Sequence, residues 1–167
     1  MKKSLAIILA AAIIAVVAAV WYYNYSKINS IPPLTEYGIR FGITKNELTQ
    51  KVGDPVSILK DDITPNSFYC YSLSLLNKEA MCRFYVNLET DELWRVDILW
   101  ETSSENEAQL LLEQLKDDIQ DEFRYSLGFH CNEEEHCITM CIIGHPLEWE
   151  CKITSLGSNV SLVMHSS

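Results

Sequence analysis

Glycine is scarce in this chain, six in 167 residues, and no glycine-rich loop occurs. That excludes a P-loop and a dinucleotide-binding turn, whose backbones need glycine to approach phosphate. The G-x-S-x-G elbow and the H-E-x-x-H helix motif are also missing. No C-x-x-C pair is present, which removes a thioredoxin-like redox motif. These absences leave no catalytic residue and no cofactor implied. Basic charge is in short supply: 13 Lys and Arg stand against 23 Asp and Glu, for a net charge of −10. Lys2 and Lys3 precede an apolar run, so the remainder is more acidic still. Such a body does not suit nucleic acid, whose phosphates need Lys and Arg, nor anionic lipid headgroups.

Hydrophobic residues are plentiful, at 48%. Ser4–Val20 runs without a charge, Gly or Pro, preceded by Met1-Lys2-Lys3 and followed by Trp21-Tyr22-Tyr23-Asn24-Tyr25. The pattern fits two addresses. Val17-Ala18-Ala19 offers a site for cleavage of a signal peptide. The aromatic cluster favours an uncleaved anchor, because Trp and Tyr settle at the membrane–water interface. The sequence therefore predicts a transmembrane helix over 1–25, a linker over 26–36, and a domain over 37–167 with subunits near 37–101 and 102–167. The positive-inside rule places Lys2 and Lys3 in the cytoplasm. The expected location is the cell membrane, single-pass, with the C-terminal domain extracytoplasmic. No Cys lies near residue 20, so a lipoprotein anchor is not expected.

The body reads as helix, strands, helix, strands. Thr44 and Glu47 have the spacing of a capping box, Ile43 can staple onto Leu48, and Gly53 and Pro55 end that helix. Short strands follow at Val56–Leu59, Ser67–Leu75, Met81–Leu88 and Leu93–Trp100. In the last of these, alternation puts Trp94, Val96, Ile98 and Trp100 on one face. Ser104 and Glu107 make a second capping box. Ala108, Leu111, Leu112, Leu115, Ile119 and Phe123 then recur at helical spacing. The opposite face of this helix holds Glu113, Asp117, Asp118, Asp121 and Glu122, a solvated surface rather than a cation site. Strands at Cys137–Ile143, Leu147–Thr154 and Asn159–His165 complete the chain. The class is α+β: an N-terminal transmembrane helix, then one domain of two helix-plus-antiparallel-strands units, an order compatible with a tandem αβββ repeat.

Phe41-Gly42-Ile43-Thr44-Lys45-Asn46-Glu47-Leu48 followed by Val52-Gly53-Asp54-Pro55 resembles the opening of small exported domains of the outer-membrane lipoprotein A / small protein A group. The wider helix-plus-three-strand set includes the β-lactamase-inhibitor-protein-like domains. The resemblance spans residues 41–55. It implies an extracytoplasmic protein-binding scaffold rather than an enzyme.

Six cysteines lie beyond the apolar run: Cys70, Cys82, Cys131, Cys137, Cys141 and Cys151. In an exported domain an even number argues for disulfides. Spacing favours Cys141–Cys151 across a hairpin whose loop is His145-Pro146-Leu147, then Cys131–Cys137, then Cys70–Cys82. Free buried thiols are the alternative. The same region carries a metal hypothesis, because His130, Cys131, His136, Cys137, Cys141 and His145 crowd into one short segment. Thiolates and imidazoles suit zinc or copper, although the spacings match no familiar zinc pattern. The leading functional reading is a membrane-anchored binding or structural domain with a partner protein in the cell envelope. The competing one is a metal-binding or thiol-based enzyme or sensor built on the 130–145 cluster.

Overall fold

Alternating side chains and short polar turns produce eight strands in one antiparallel sheet, with helices on one face. A computed structural model describes residues 2–60, 66–123, 129–134, 137–142 and 149–166. The strands are β1 (Ser57–Lys60), β2 (Asn66–Leu75), β3 (Lys78–Asn87), β4 (Leu93–Glu101), β5 (Phe129–Glu134), β6 (Cys137–Ile142), β7 (Trp149–Leu156) and β8 (Asn159–Ser166). The helices are α1 (Lys2–Ile28), α2 (Lys45–Val52) and α3 (Glu105–Phe123), with a 3-10 turn at Pro32–Tyr37.

The sheet order is β1-β2-β3-β4-β8-β7-β6-β5. Two four-strand meanders therefore meet through their last strands, β4 and β8, in a register running from Arg95↔His165 to Glu101↔Asn159. This corrects the expected fold class. The chain is not a transmembrane helix followed by one domain of two helix-plus-strands units; it is mostly one eight-stranded antiparallel sheet with a few helices. A helix and three strands intervene between β4 and β8, which hides their pairing from any local reading. β5 is a further strand, one that the expected set of strands did not include.

Among the described residues no helix is long and apolar enough to cross a membrane. The uncharged stretch Ser4–Val20 is only part of α1, which carries Lys2 and Lys3 at its start and Asn24, Ser26 and Lys27 at its end. The transmembrane helix, the single-pass membrane location with an extracytoplasmic domain, and the membrane as partner are withdrawn on this finding. The envelope partner loses its ground with them. The segment read as an extended linker is packed: the 3-10 turn buries Pro33 and Leu34, and Ile31 joins the same core.

The core lies between the sheet and its helical layer. Tyr71, Phe84, Val96, Ile98, Trp100, Met140, Ile153 and Leu162 point inward from the strands. α3 meets them with Ala108, Leu111, Leu112, Leu115, Ile119 and Phe123, all buried, and packs on β7 and β8. Ile39, Phe41, Ile43 and Leu48 close the other half. Gly42 N–H donates to Leu93 O at 2.8 Å and Leu93 N–H donates to Ile43 O at 2.9 Å, which ties this N-terminal segment to β4.

Local chemistry sets the ends of the elements. Thr44 and Glu47 form both halves of the capping box on α2. At α3 the box is half made. Glu107 N–H donates to Ser104 Oγ at 3.3 Å, but the Glu107 carboxylate turns to Ser103 and to Lys78 at the start of β3. The β2–β3 turn is Leu76-Asn77, with φ of 54° and 60°. Both values are positive, as a type I′ hairpin requires. Asn tolerates that region, whereas Leu76 is held there by packing against the core.

Two measurements test this packing. Leu115→Ala should cost about 2–5 kcal/mol in urea unfolding, because its side chain is wholly buried. Glu113→Ala, on the exposed face of the same helix, should cost under ~0.5 kcal/mol. The second measurement concerns Glu107. Its bonds to Lys78 first and to Ser103 next hold its carboxyl down at about 2, against 4.5 ordinarily. A depressed folded-state value gives stability that is present above 4.5 and is lost as pH falls towards about 2. Glu107→Gln should therefore unfold more easily than the unaltered chain at pH 7, and that gap should close over this acid window.

Candidate functional site

The sheet face away from the helices carries the exposed side chains Ser72, Met81, Arg83, Leu99 and Lys152. A continuous row crosses the sheet from β2 to β5 on this face: Phe68, Tyr85, Arg95, His165, Glu150, Cys141 and His130. Its best organised part is an aromatic and charged patch on β2, β3 and β4. Phe68 and Tyr85 have ring centroids 5.3 Å apart, and Tyr85 meets Trp94 edge-on at 6.2 Å. The Arg95 guanidinium lies 4.9 Å from the Tyr85 ring centroid. Asp97 takes that guanidinium bidentately, from Nε at 2.7 Å and Nη2 at 3.1 Å, and accepts from the Tyr85 hydroxyl at 2.8 Å. Tyr85, Arg95 and Asp97 hold one another, so the patch is ordered before anything binds.

Trp94 reaches this face by a register change. The pairing runs Tyr85↔Arg95 and then Val86↔Leu93, which leaves Trp94 as an extra residue on β4. Strict alternation placed Trp94 beside Trp100 on the core face. The bulge turns it outward, while Trp100 remains wholly buried. Sequence reading missed Phe68, Tyr85, Arg95 and Asp97 as a group. The only local signal was alternation, which puts Arg95 and Asp97 outward.

The expected disulfides are corrected. All six cysteines are free and none lies at bonding distance from another. Parity is the reason. The two members of each expected pair are separated by an even step along the chain, so they need an odd-membered connection to face each other. The hairpins have even ones. Cys141 stands opposite Glu150, and Cys151 opposite Met140. Cys70 stands opposite Arg83, and Cys82 opposite Tyr71. Cys137 pairs with Glu134, and Cys131 with Met140. A one-residue offset sends each pair to opposite faces of the sheet. The loop His145-Pro146-Leu147 lies outside the described residues.

The metal and thiol cluster is divided the same way. His130, Cys137 and Cys141 belong to the outer face or its edge, and Cys131 to the core face at the sheet edge. His136 and His145 lie outside the described residues. Among the described residues no group of three or more His, Cys, Asp or Glu could hold a metal ion. Cys141 is a register neighbour of His130, yet burial and then the Glu150 charge push its thiol up. That is the wrong direction for an activated nucleophile. On α3 the acid face is solvated, with Glu113, Asp117, Asp118 and Asp121 exposed. Lys116 spans from Glu113 at 3.4 Å to Glu133 at 3.1 Å.

Burial first and then the hydrogen bond and charge of Asp97 push the Tyr85 phenol above 10. Asp97→Asn should therefore lower its titration midpoint, read by NMR of ring-labelled tyrosine. A midpoint that does not fall would mean that the network of Tyr85, Arg95 and Asp97 does not form. No protein-family model, no curated protein and no solved structure matches this chain.

Proposed function

We propose that this protein is a binding module that holds another protein on the outer face of its sheet. The observation that carries the reading is the patch of Phe68, Tyr85, Trp94 and Arg95, preorganised by Asp97 and standing on the side of the sheet opposite α3. Tyr, Trp and Arg are the residues that most often dominate the energy of protein interfaces. A rigid sheet presents them at little entropic cost on association. Exposed Met81 and Leu99, side by side on β3 and β4, extend the apolar part of the surface. The resemblance of residues 41–55 to small binding scaffolds points to the same class of function.

The test uses a photo-crosslinking residue in the full chain, expressed in its native cell. Placed at Leu99, it should yield a discrete protein adduct. Placed at Gln114, on the exposed face of α3, it should not. Tyr85→Ala together with Arg95→Ala should remove the Leu99 adduct while leaving the far-ultraviolet spectrum unchanged. An adduct formed equally from Gln114, or one indifferent to the double substitution, would overturn the proposal.

A further inference from the structure

On the core face, four successive strands place sulfur at directly paired positions. Cys131 on β5 is opposite Met140 on β6, Met140 is opposite Cys151 on β7, and Cys151 is opposite Met164 on β8. Met140, Cys151 and Met164 are wholly buried, while Cys131 is exposed at the free edge of the sheet. Cysteine and methionine often fill cores as ordinary hydrophobes. An unbroken run of them across paired strands has a second chemical use, because thiolate and thioether sulfurs together select a soft ion.

We propose that Cys151, Met140 and Met164 form a binding site for Cu(I), reached through Cys131. Directly paired residues have Cβ atoms about 4.5–5.5 Å apart. The three rotatable bonds of methionine let a thioether swing towards such a neighbour. Cys151 has a methionine on each side, so one thiolate and two thioethers can surround one ion. Cys131 lies two strand spacings from Cys151, roughly 9–10 Å, too far to share that ion. Its neighbour is Met140, which makes Cys131 the outer stage of a two-step path. Gln120 of α3 donates from Nε2 to Cys131 Sγ at 3.2 Å and fixes that outer sulfur.

Charge decides the ion. The site offers one negative sulfur and two neutral ones, so a monovalent cation leaves the buried assembly neutral. A divalent ion would leave a net positive charge in the core, which is costly. Binding exchanges one proton for one ion: the Cys151 S–H bond breaks, its proton passes to solvent, a sulfur–copper bond forms, and no electron is transferred. This site shares only Cys131, its outer stage, with the His/Cys cluster at 130–145 and does not depend on the outer face.

The experiment titrates the reduced full chain anaerobically with Cu(I) against the chelator bicinchoninate. About one ion per chain should be withdrawn from the chelator, with about one proton released. Met140→Leu and Met164→Leu keep the core volume, and each should weaken binding at least tenfold. Cys131→Ser should slow loading without changing the final affinity. Cys137→Ser with Cys141→Ser should change neither. X-ray absorption on the unaltered chain gives a readout that no variant has to survive: a shell of sulfur alone supports the site. Copper left on the chelator, nitrogen or oxygen in its shell, or binding lost with Cys137 and Cys141 but kept in both leucine variants would overturn it.

Discussion

The structure depends on the pairing of β4 with β8. Without it there would be two four-strand meanders, each with an open edge at its last strand. The register from Arg95↔His165 to Glu101↔Asn159 joins them. Its inward members, Val96, Ile98, Trp100, Val160, Leu162 and Met164, are the middle of the core. The same pairs bring Arg95 beside His165 on the other face, which makes the outer row continuous between the two halves. One set of backbone hydrogen bonds thus sets both the core and the surface proposed to bind.

That pairing is also where the sequence stops being legible. The buried stripe of α3 can be read from residue spacing, because a helix contacts the core by a rule its own residues obey. The capping box of Thr44 and Glu47 is equally local. Whether β4 meets β8 depends on strands far apart in the chain, with α3, β5, β6 and β7 between them, and alternation carries no information about it. The apolar run at the N-terminus failed for another reason. Its hydrophobicity was plain, but among the described residues no helix is long and apolar enough to cross a membrane. The outer patch was half visible. Arg95 and Asp97 could be placed outward by parity, whereas Trp94 could not, since its position depends on the bulge.

The cysteines show what one residue of register decides. Sequence distance made Cys141 and Cys151 natural partners, and an odd-membered loop would have set them face to face. The even connection gives Cys151 to Met140 and Cys141 to Glu150. The consequence is chemical as well as geometric. Cys151 and Cys82 enter the apolar core, where loss of a proton is unfavourable; burial alone pushes Cys82 up to about 12. Cys141 goes to a polar row between two ionisable neighbours, His130 and Glu150. A shift of one position would have exchanged these environments and dispersed the sulfur row.

The two faces of the sheet then divide the chemistry between them. On the outer face Arg95 is paired with Asp97 and His165 stands beside Glu150 at 3.4 Å, while Arg83 and Lys152 are exposed. Within the aromatic patch, Arg95 paired with Asp97 can lose water to a partner protein without stranding a bare ion. The inner face holds no charged side chain among the described core residues, and its polar atoms are few. Trp100 keeps its indole N–H buried without an acceptor, at a cost of order 1–3 kcal/mol, which shows how little hydrogen-bonding capacity that layer has. In such a layer only soft, weakly hydrated chemistry can operate. The sulfurs in that layer are those of Cys82, Met140, Cys151 and Met164, of which the last three stand at directly paired positions.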